Sequence, residues 1–119
     1  MKAYRGDVIY VRSHPVDTET SVYRSENDHL SKKRPLVVVS NNKGNESGSV
    51  VLAVPMTTKI KAMHLPTHCL VGYHDSMVMC EQIYTIDQSD IESVSWKLNY
   101  RDMEKIENCL RAALGMSRL

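Results

Sequence analysis

A positively charged side chain and a hydroxyl side chain stand at the ends of two apolar segments. Arg34 precedes the apolar run 36–39, and Thr57 follows the apolar run 50–54. A guanidinium stays charged, and its planar set of donors matches phosphate oxygens. Two neighbouring strands would bring Arg34 and Thr57 together, and the pair then predicts a phosphate-binding site at a sheet edge. The alternatives are a solvated surface arginine and a threonine that only caps a strand end.

The chain has 119 residues, which predicts one domain over 1–119, with a barrel over about 4–98 and a helix over about 100–115. It contains six Tyr, one Trp and no Phe, so the core must be aliphatic. No apolar run approaches the roughly 20 residues of a membrane helix. The first residues do not resemble a signal peptide. We therefore expect a cytoplasmic protein, and the three widely spaced cysteines read as reduced thiols.

Charge is distributed unevenly along the chain. Residues 1–70 hold ten Lys and Arg against six Asp and Glu, a balance of +4, whereas residues 71–119 hold five against eight, a balance of −3. The net charge of +1 taken alone argues against a strong nucleic-acid binder. The distribution fits a basic face toward a phosphate backbone, although ordinary scatter explains it equally well.

Short β-forming runs alternate with polar segments over most of the chain. The predicted strands cover 6–11, 35–40, 49–55, 68–71, 76–86 and 96–98. The segment 41–48 has turn composition, 12–33 reads as a long loop, and 57–64 reads as a polar loop. A short helical turn is expected near 87–90, with Asp87 or Ser89 as its cap.

The last part of the chain changes to helical spacing. Apolar side chains recur on one helical face from Met103 to Leu114, Asn99 is the predicted N-cap, and Gly115 ends the helix. Many short strands followed by one helix predict a mainly β fold, a small and strongly bent antiparallel sheet with a C-terminal helix. No glycine-rich phosphate-binding motif is present.

Several short motifs follow one another in an order that is typical of a known family. They are Arg5-Gly6-Asp7-Val8, Lys33-Arg34-Pro35, Pro55-Met56-Thr57-Thr58-Lys59-Ile60, Leu65-Pro66-Thr67-His68, Asp75-Ser76, Glu81-Gln82-Ile83-Tyr84-Thr85-Ile86-Asp87 and Met103-Glu104-Lys105-Ile106. Together they resemble the MazF/PemK toxins of bacterial toxin–antitoxin systems over nearly the whole chain except 16–32.

The resemblance implies a fold, an activity and partners. The fold would be the SH3-like barrel with a C-terminal helix of the MazF, Kid and CcdB type. The activity would be metal-independent, sequence-specific cleavage of single-stranded RNA to a 2′,3′-cyclic phosphate and a 5′-hydroxyl end. The toxin would act as a homodimer, would be neutralised by a cognate MazE-like antitoxin, and would use no metal or cofactor and no membrane.

The same resemblance assigns roles to residues. Arg34 would stabilise charge on the phosphorane, and Thr57 would donate its hydroxyl to a phosphoryl oxygen. The family carries a glutamate a few residues before the arginine, but this chain has His29 at the matching offset, and Glu26 lies further back. Both Glu26 and His29 are therefore candidates for the acid and the base, and His29 is also compatible with a solvated loop position.

Five further residues match family positions that contact RNA. They are Lys59, Leu65, His68, Ser76 and Gln82. Ser76 and Gln82 would read base edges, whereas Leu65 and His68 would bracket a splayed base. Packing in a core or a turn is an equally good account of these four, and solvation is the alternative for Lys59.

Glu81 and the histidine pair His64 and His68 have structural interpretations as well. Glu81 lies in an apolar segment, where we expect it to form a structural hydrogen bond. His64 and His68 are four residues apart, but Pro66 intervenes and no zinc motif is completed.

Two other functions remain open at this level. The first is a non-catalytic toxin homologue that binds RNA or an antitoxin through its altered first loop. The second is a CcdB-like gyrase poison, which the resemblance favours less because Arg34 and Thr57 stand at the positions that MazF-type ribonucleases use.

Overall fold

The computed structural model describes residues 1–12 and 34–116. Within these residues it contains seven β-strands and two α-helices. In chain order they are β1 (Asp7–Val11), β2 (Leu36–Val38), α1 (Asn42–Ser47), β3 (Val50–Thr57), β4 (His68–Val71), β5 (Ser76–Met79), β6 (Tyr84–Asp87), β7 (Ile91–Lys97) and α2 (Tyr100–Ala113). Every strand pairing is antiparallel.

Strand β3 organises the sheet. The strand order is β4-β5-β3-β2-β1-β7, and β6 also pairs with β3. Along one edge of β3, residues 50–53 pair with β6, and residues 56–57 pair with β5. Two different strands therefore pair along one edge of β3, and the sheet bends at β3. This agrees with the strongly bent antiparallel sheet predicted from the sequence.

Strand β2 and residues 53–57 of β3 are buried on both faces. One core contains Val37, Val54 and Met56 and is covered by Ile106 and Cys109 of α2. The alternate residues of the same strands, such as Leu36 and Ala53, enter a second core. Burial on both faces explains why these segments read as nearly continuous apolar runs rather than as alternating ones.

Helix α2 is fixed at its first turn. The Asn99 side chain accepts a hydrogen bond from the Asp102 backbone N–H, at 2.8 Å, as the predicted N-cap requires. The Asp102 carboxylate in turn accepts from the Gly72 backbone N–H at 3.0 Å, and this contact ties the helix to the turn after β4. At the other end, Gly115 follows the helix with φ of +70°, the left-handed conformation expected at a C-terminal cap.

Helix α1 replaces the predicted turn at 41–48. Asn41 caps it by accepting from the Gly44 N–H at 2.8 Å, and the buried Asn45 side chain donates to the Ser40 carbonyl at 3.0 Å. At its C-terminal end, the Lys2 ammonium donates to three backbone carbonyls, the closest being that of Glu46 at 2.6 Å. The Lys2 contacts come from the start of the chain, so local turn composition does not reveal them.

Two strand predictions also change. The single strand predicted over 76–86 is two strands, because the chain leaves β5 at Met79 and returns along β3 as β6. The last strand, predicted over 96–98, begins five residues earlier, at Ile91. Its residues after Ile91 are all exposed, and among the described strands β7 lies at the sheet edge, paired with β1.

Other sequence predictions agree with the structure. The short helical turn lies at Gln88–Asp90, with Asp87 as its cap. All three cysteines are buried and free of disulfide bonds. In the described part of the chain, no helix has both the length and the apolar character needed to cross a membrane.

Candidate active site

The pairing of β2 with β3 brings Arg34 toward Thr57. Leu36 pairs with Pro55 and Val37 with Val54, and the Met56 N–H donates to the Pro35 carbonyl at 3.0 Å, one step beyond the end of β2. The next step of the same register sets Arg34 opposite Thr57. Directly opposed residues of an antiparallel pair carry their side chains on the same face, so this register supports the meeting of the two side chains.

The face in question is the one that carries the second core. Leu36 and Ala53 belong to that core, and Arg34 and Thr57 continue the same alternation at the end of the ladder. Arg34 is half-buried there and Thr57 is 9% exposed. Both residues therefore lie where a rigid, apolar sheet meets the solvent.

The Thr57 hydroxyl has one lone pair in use. Its oxygen accepts a hydrogen bond from the Lys59 backbone N–H at 3.1 Å, which forms a local turn at the end of β3. Because a hydroxyl both accepts and donates, this contact orients the oxygen and leaves its hydrogen available to a phosphoryl oxygen. The capping role and the proposed site role are thus compatible.

Gln82 lies on the same face as the Arg34–Thr57 pair. Its amide oxygen accepts from the Tyr84 hydroxyl at 3.2 Å, and Tyr84 pairs with Ala53 of β3 and packs on the second core. Gln82 itself lies in the turn before β6, so this contact, rather than strand alternation, places it beside the face. The sequence did not single out Tyr84, because its position depends on how β6 pairs with β3.

The loop from 58 to 67, called the β3–β4 loop below, carries two of the predicted RNA contacts. Lys59 is exposed, and the Leu65 side chain is exposed at 38%. Both positions are accessible to a ligand that approaches the ends of β3 and β4.

Ser76 differs from its predicted placement. It is 2% exposed and pairs with Val71, a member of the core beneath α2. Its strand neighbour Val78 belongs to the same core. Ser76 therefore faces the helix side of the sheet, away from the Arg34–Thr57 pair, and the predicted role in reading a base edge has no support from this placement.

His68 also differs from its predicted placement. Its side chain is only 5% exposed, and both ring nitrogens have partners. Nδ1 lies 3.0 Å from the Ala62 carbonyl oxygen, and Nε2 lies 2.9 Å from Glu81 Oε2. The ring presents no open face for stacking on a base, so the structure assigns it a structural contact instead. Glu81 has the structural hydrogen bond that its apolar surroundings predicted.

The Glu81 carboxylate is shifted toward its ionised form. Burial raises its pKa, but hydrogen bonds from His68, from its own backbone and from Thr67, together with the nearby charge of His68, outweigh this effect. The net pKa of Glu81 lies below its ordinary value.

Two candidate residues cannot be placed. Glu26 and His29 lie outside the described residues. Within residues 1–12 and 34–116, no group of three or more His, Cys, Asp or Glu side chains is arranged to hold a metal ion.

Comparison with known proteins identifies similar sequences and folds. The family model described as the PemK-like, MazF-like toxin of type II toxin–antitoxin systems matches residues 4–114. A curated relative, an endoribonuclease MazF of Staphylococcus saprophyticus, is 27% identical over 89 residues, which cover 70% of this chain and 74% of the relative.

Solved structures share the fold at low sequence identity. An endoribonuclease from a mycobacterial species has a TM-score of 0.75 at 23% identity, with 100% of this chain and 97% of that chain covered. A MazE–MazF structure from Deinococcus radiodurans has a TM-score of 0.70 at 16% identity, with 98% and 99% covered. These likenesses confirm the predicted barrel with a C-terminal helix.

The pKa of Glu81 predicts a change of stability in acid. Because the folded-state pKa lies below the unfolded one, the ionised carboxylate stabilises the fold above about pH 4.3, and this contribution is lost as pH falls through the lowered folded-state pKa. Glu81→Gln removes it at every pH. Urea unfolding midpoints of the two proteins should therefore differ at neutral pH and converge in acid.

Glu104→Gln is the control for this measurement, since Glu104 is an exposed carboxylate on α2. A midpoint difference between the Glu81→Gln variant and the unchanged protein that stays constant down to acidic pH would contradict the expectation.

Proposed function

Because the chain belongs to the PemK-like, MazF-like toxins of type II toxin–antitoxin systems, we propose that it is an endoribonuclease that cleaves single-stranded RNA. The proposed reaction is sequence-specific, independent of metal ions, and inhibits growth until a cognate antitoxin blocks it. The curated relative named as an endoribonuclease supports this proposal.

The observation that carries the proposal is the register of β2 on β3. It supports a site in which Arg34 and Thr57 address one phosphodiester from opposed positions on the sheet. The guanidinium supplies a permanent charge and two donors, and the threonine hydroxyl supplies a third. Three donors fixed at the end of a rigid ladder suit the extra negative charge of a pentacovalent phosphorane.

The proposed chemistry uses the RNA's own nucleophile. The 2′-hydroxyl oxygen attacks the adjacent phosphorus while a base takes its proton, and the bond from phosphorus to the 5′-oxygen breaks as an acid protonates that oxygen. The products are a 2′,3′-cyclic phosphate and a 5′-hydroxyl end. Glu26 and His29 are the proposed proton-transfer residues, one acting as the base and the other as the acid.

The proposed substrate path runs over the β3–β4 loop and Gln82. Lys59 would contact a phosphate, Leu65 would pack on a splayed base, and Gln82 would read a base edge. The working toxin in this proposal is a cytoplasmic homodimer. Among the structural neighbours is a mycobacterial endoribonuclease in complex with its cognate antitoxin, which supports an antitoxin as the partner here.

Replacing the proposed phosphate ligand should abolish most activity. We expect Arg34→Ala to slow RNA cleavage by about a hundredfold to a thousandfold, because one fixed donor to the developing charge is lost. The assay incubates a mixed-sequence RNA with purified protein in EDTA and maps the new ends. Arg101→Ala, an exposed arginine on the opposite, helix-covered side, is the control and should cut normally.

The same assay separates the alternatives. RNA that is bound but never cut, even by the unchanged protein, indicates a non-catalytic homologue. Cleaved DNA trapped with gyrase indicates a topoisomerase poison. Normal cutting by the Arg34→Ala variant would refute the assignment of Arg34.

The hydroxyl of Thr57 can be tested by substitutions of nearly equal shape. Thr57→Val keeps the volume and removes the hydroxyl, and we expect kcat to fall by about tenfold or more. Thr57→Ser retains the oxygen and should recover most of the lost rate. Equal kcat values for the Val and Ser variants would show that the hydroxyl takes no part in the reaction.

The proton-transfer residues can be separated by their pH profiles. If His29 acts as acid or base, the unchanged protein should show a limb in its profile of kcat against pH near the ordinary histidine pKa of about 6.5. His29→Asn should remove that limb, whereas Glu26→Gln should retain it. Loss of the near-neutral limb only in the Glu26→Gln variant would assign that limb to Glu26 instead of His29.

A further inference from the structure

The β3–β4 loop is exposed along most of its length but is tied to the sheet by a buried residue at its end. Ile60, Met63 and Leu65 expose 45%, 38% and 38% of their surface. His68, the first residue of β4, is by contrast 9% exposed. An exposed loop with three large apolar side chains suits contacts with unstacked bases, provided that something fixes its conformation.

The backbone at Ala62 is the point at which the loop is held. Ala62 has φ of +53°, a left-handed conformation that is uncommon for a residue other than glycine. Its carbonyl oxygen accepts from the Leu65 N–H at 3.1 Å and contacts His68 Nδ1 at 3.0 Å. The His68 N–H also donates to the Leu65 carbonyl at 3.1 Å. The turn that displays Leu65 is therefore anchored on His68.

The His68 ring is held in turn by Glu81. Nε2 lies 2.9 Å from Glu81 Oε2. A neutral imidazole has one N–H, whereas both of these partners are oxygen acceptors, so only the doubly protonated ring donates to both. The result is a chain of contacts from Glu81 through His68 to the Ala62 carbonyl.

We infer that His68 and Glu81 are positioning residues that fix the β3–β4 loop and thereby determine which RNA sequence is selected. The inference rests on the proposed function, and neither residue needs to touch RNA. Single-stranded RNA is recognised by side chains that meet unstacked bases at fixed positions. A shift of about 1 Å in such contacts is enough to lose a large part of a rate advantage.

Two substitutions of His68 separate its two hydrogen bonds. The amide nitrogen of Asn occupies the position of Nδ1, so His68→Asn retains a donor toward the Ala62 carbonyl. The amide nitrogen of Gln occupies the position of Nε2, so His68→Gln retains the contact with Glu81 and releases Ala62. The inference therefore predicts different outcomes for two amides that differ by one methylene group.

The first readout is the preference of the nuclease for its cut sequence. In His68→Gln, the ratio of kcat/KM for the preferred RNA to that for a single-base variant should fall by about tenfold to a hundredfold, mainly through KM. His68→Asn should keep most of the preference. His74→Asn is the control, because His74 is exposed on the turn after β4 and Asn accepts its left-handed backbone. An unchanged preference in the Gln variant would overturn the inference while leaving the nuclease assignment intact.

The second readout does not depend on cleavage. Amide hydrogen exchange at Leu65, whose N–H donates to Ala62, should accelerate in His68→Gln and stay slow in His68→Asn. Equal exchange in both variants would overturn the inference even if no RNA were cut. Failure of the unchanged protein to cut any RNA would instead refute the proposed function.

A third substitution covers the case in which the Gln variant does not fold. Glu81→Ala alters a side chain that is 40% exposed, and it removes the partner of Nε2. Unlike the Asn amide, which always presents N–H groups, a neutral imidazole without Glu81 can carry its one hydrogen on Nε2 and lose the bond to Ala62. Sequence preference should therefore weaken and Leu65 exchange should accelerate, both by less than in His68→Gln. Retention of both properties in a folded Glu81→Ala variant would contradict the inference.

Discussion

The pairing of β2 with β3 is the constraint on which the rest of the molecule depends. Strand β2 and residues 53–57 of β3 are buried on both faces, so polar side chains fit only where the ladder ends. Arg34 and Thr57 stand at that end, one on each strand. The same register therefore buries the strands and places the polar pair. A slip by one residue would exchange the two cores and turn Thr57 to the helix side.

Around this rigid part, the polar groups divide into two kinds. Arg34 and Thr57 continue a strand ladder, where backbone hydrogen bonds limit their movement. Lys59 and Leu65 lie in a loop without strand pairing, so their positions depend on a few specific contacts. A chemical step common to every substrate suits the first location, whereas a choice among substrates suits the second.

The sequence predicts an element of this structure well when the residues that determine the element lie close together in the chain. Helix α2 and strand β4 follow from periodicity and caps that lie within a few residues, and both were predicted closely. Helix α1 was predicted as a turn; the Lys2 ammonium, some forty residues away, binds the carbonyls at its C-terminal end. The break between β5 and β6 depends on which part of β3 accepts each strand.

The same distinction applies to the candidate site. Arg34 stands before one apolar run and Thr57 after another, and these positions suggested their meeting, because strand ends are local features. For His68 and Ser76 the sequence left RNA contact and packing as equal alternatives, because strand alternation alone does not reveal which face the helix covers. Ser76 faces the core under α2, and His68 has a carbonyl and a carboxylate as partners. These partners come from a loop and from the turn between β5 and β6, and tertiary structure brings them together.

The state of the three cysteines bears on which group can act as the nucleophile. Cys69 and Cys80 are buried under α2, beside Cys109 of that helix, and burial raises the pKa of each thiol, that of Cys69 to about 12. The thiolate is the nucleophilic form of cysteine, so these side chains are inert at neutral pH and serve as small apolar groups. This agrees with the proposed reaction, in which the RNA supplies its own 2′-hydroxyl as the nucleophile.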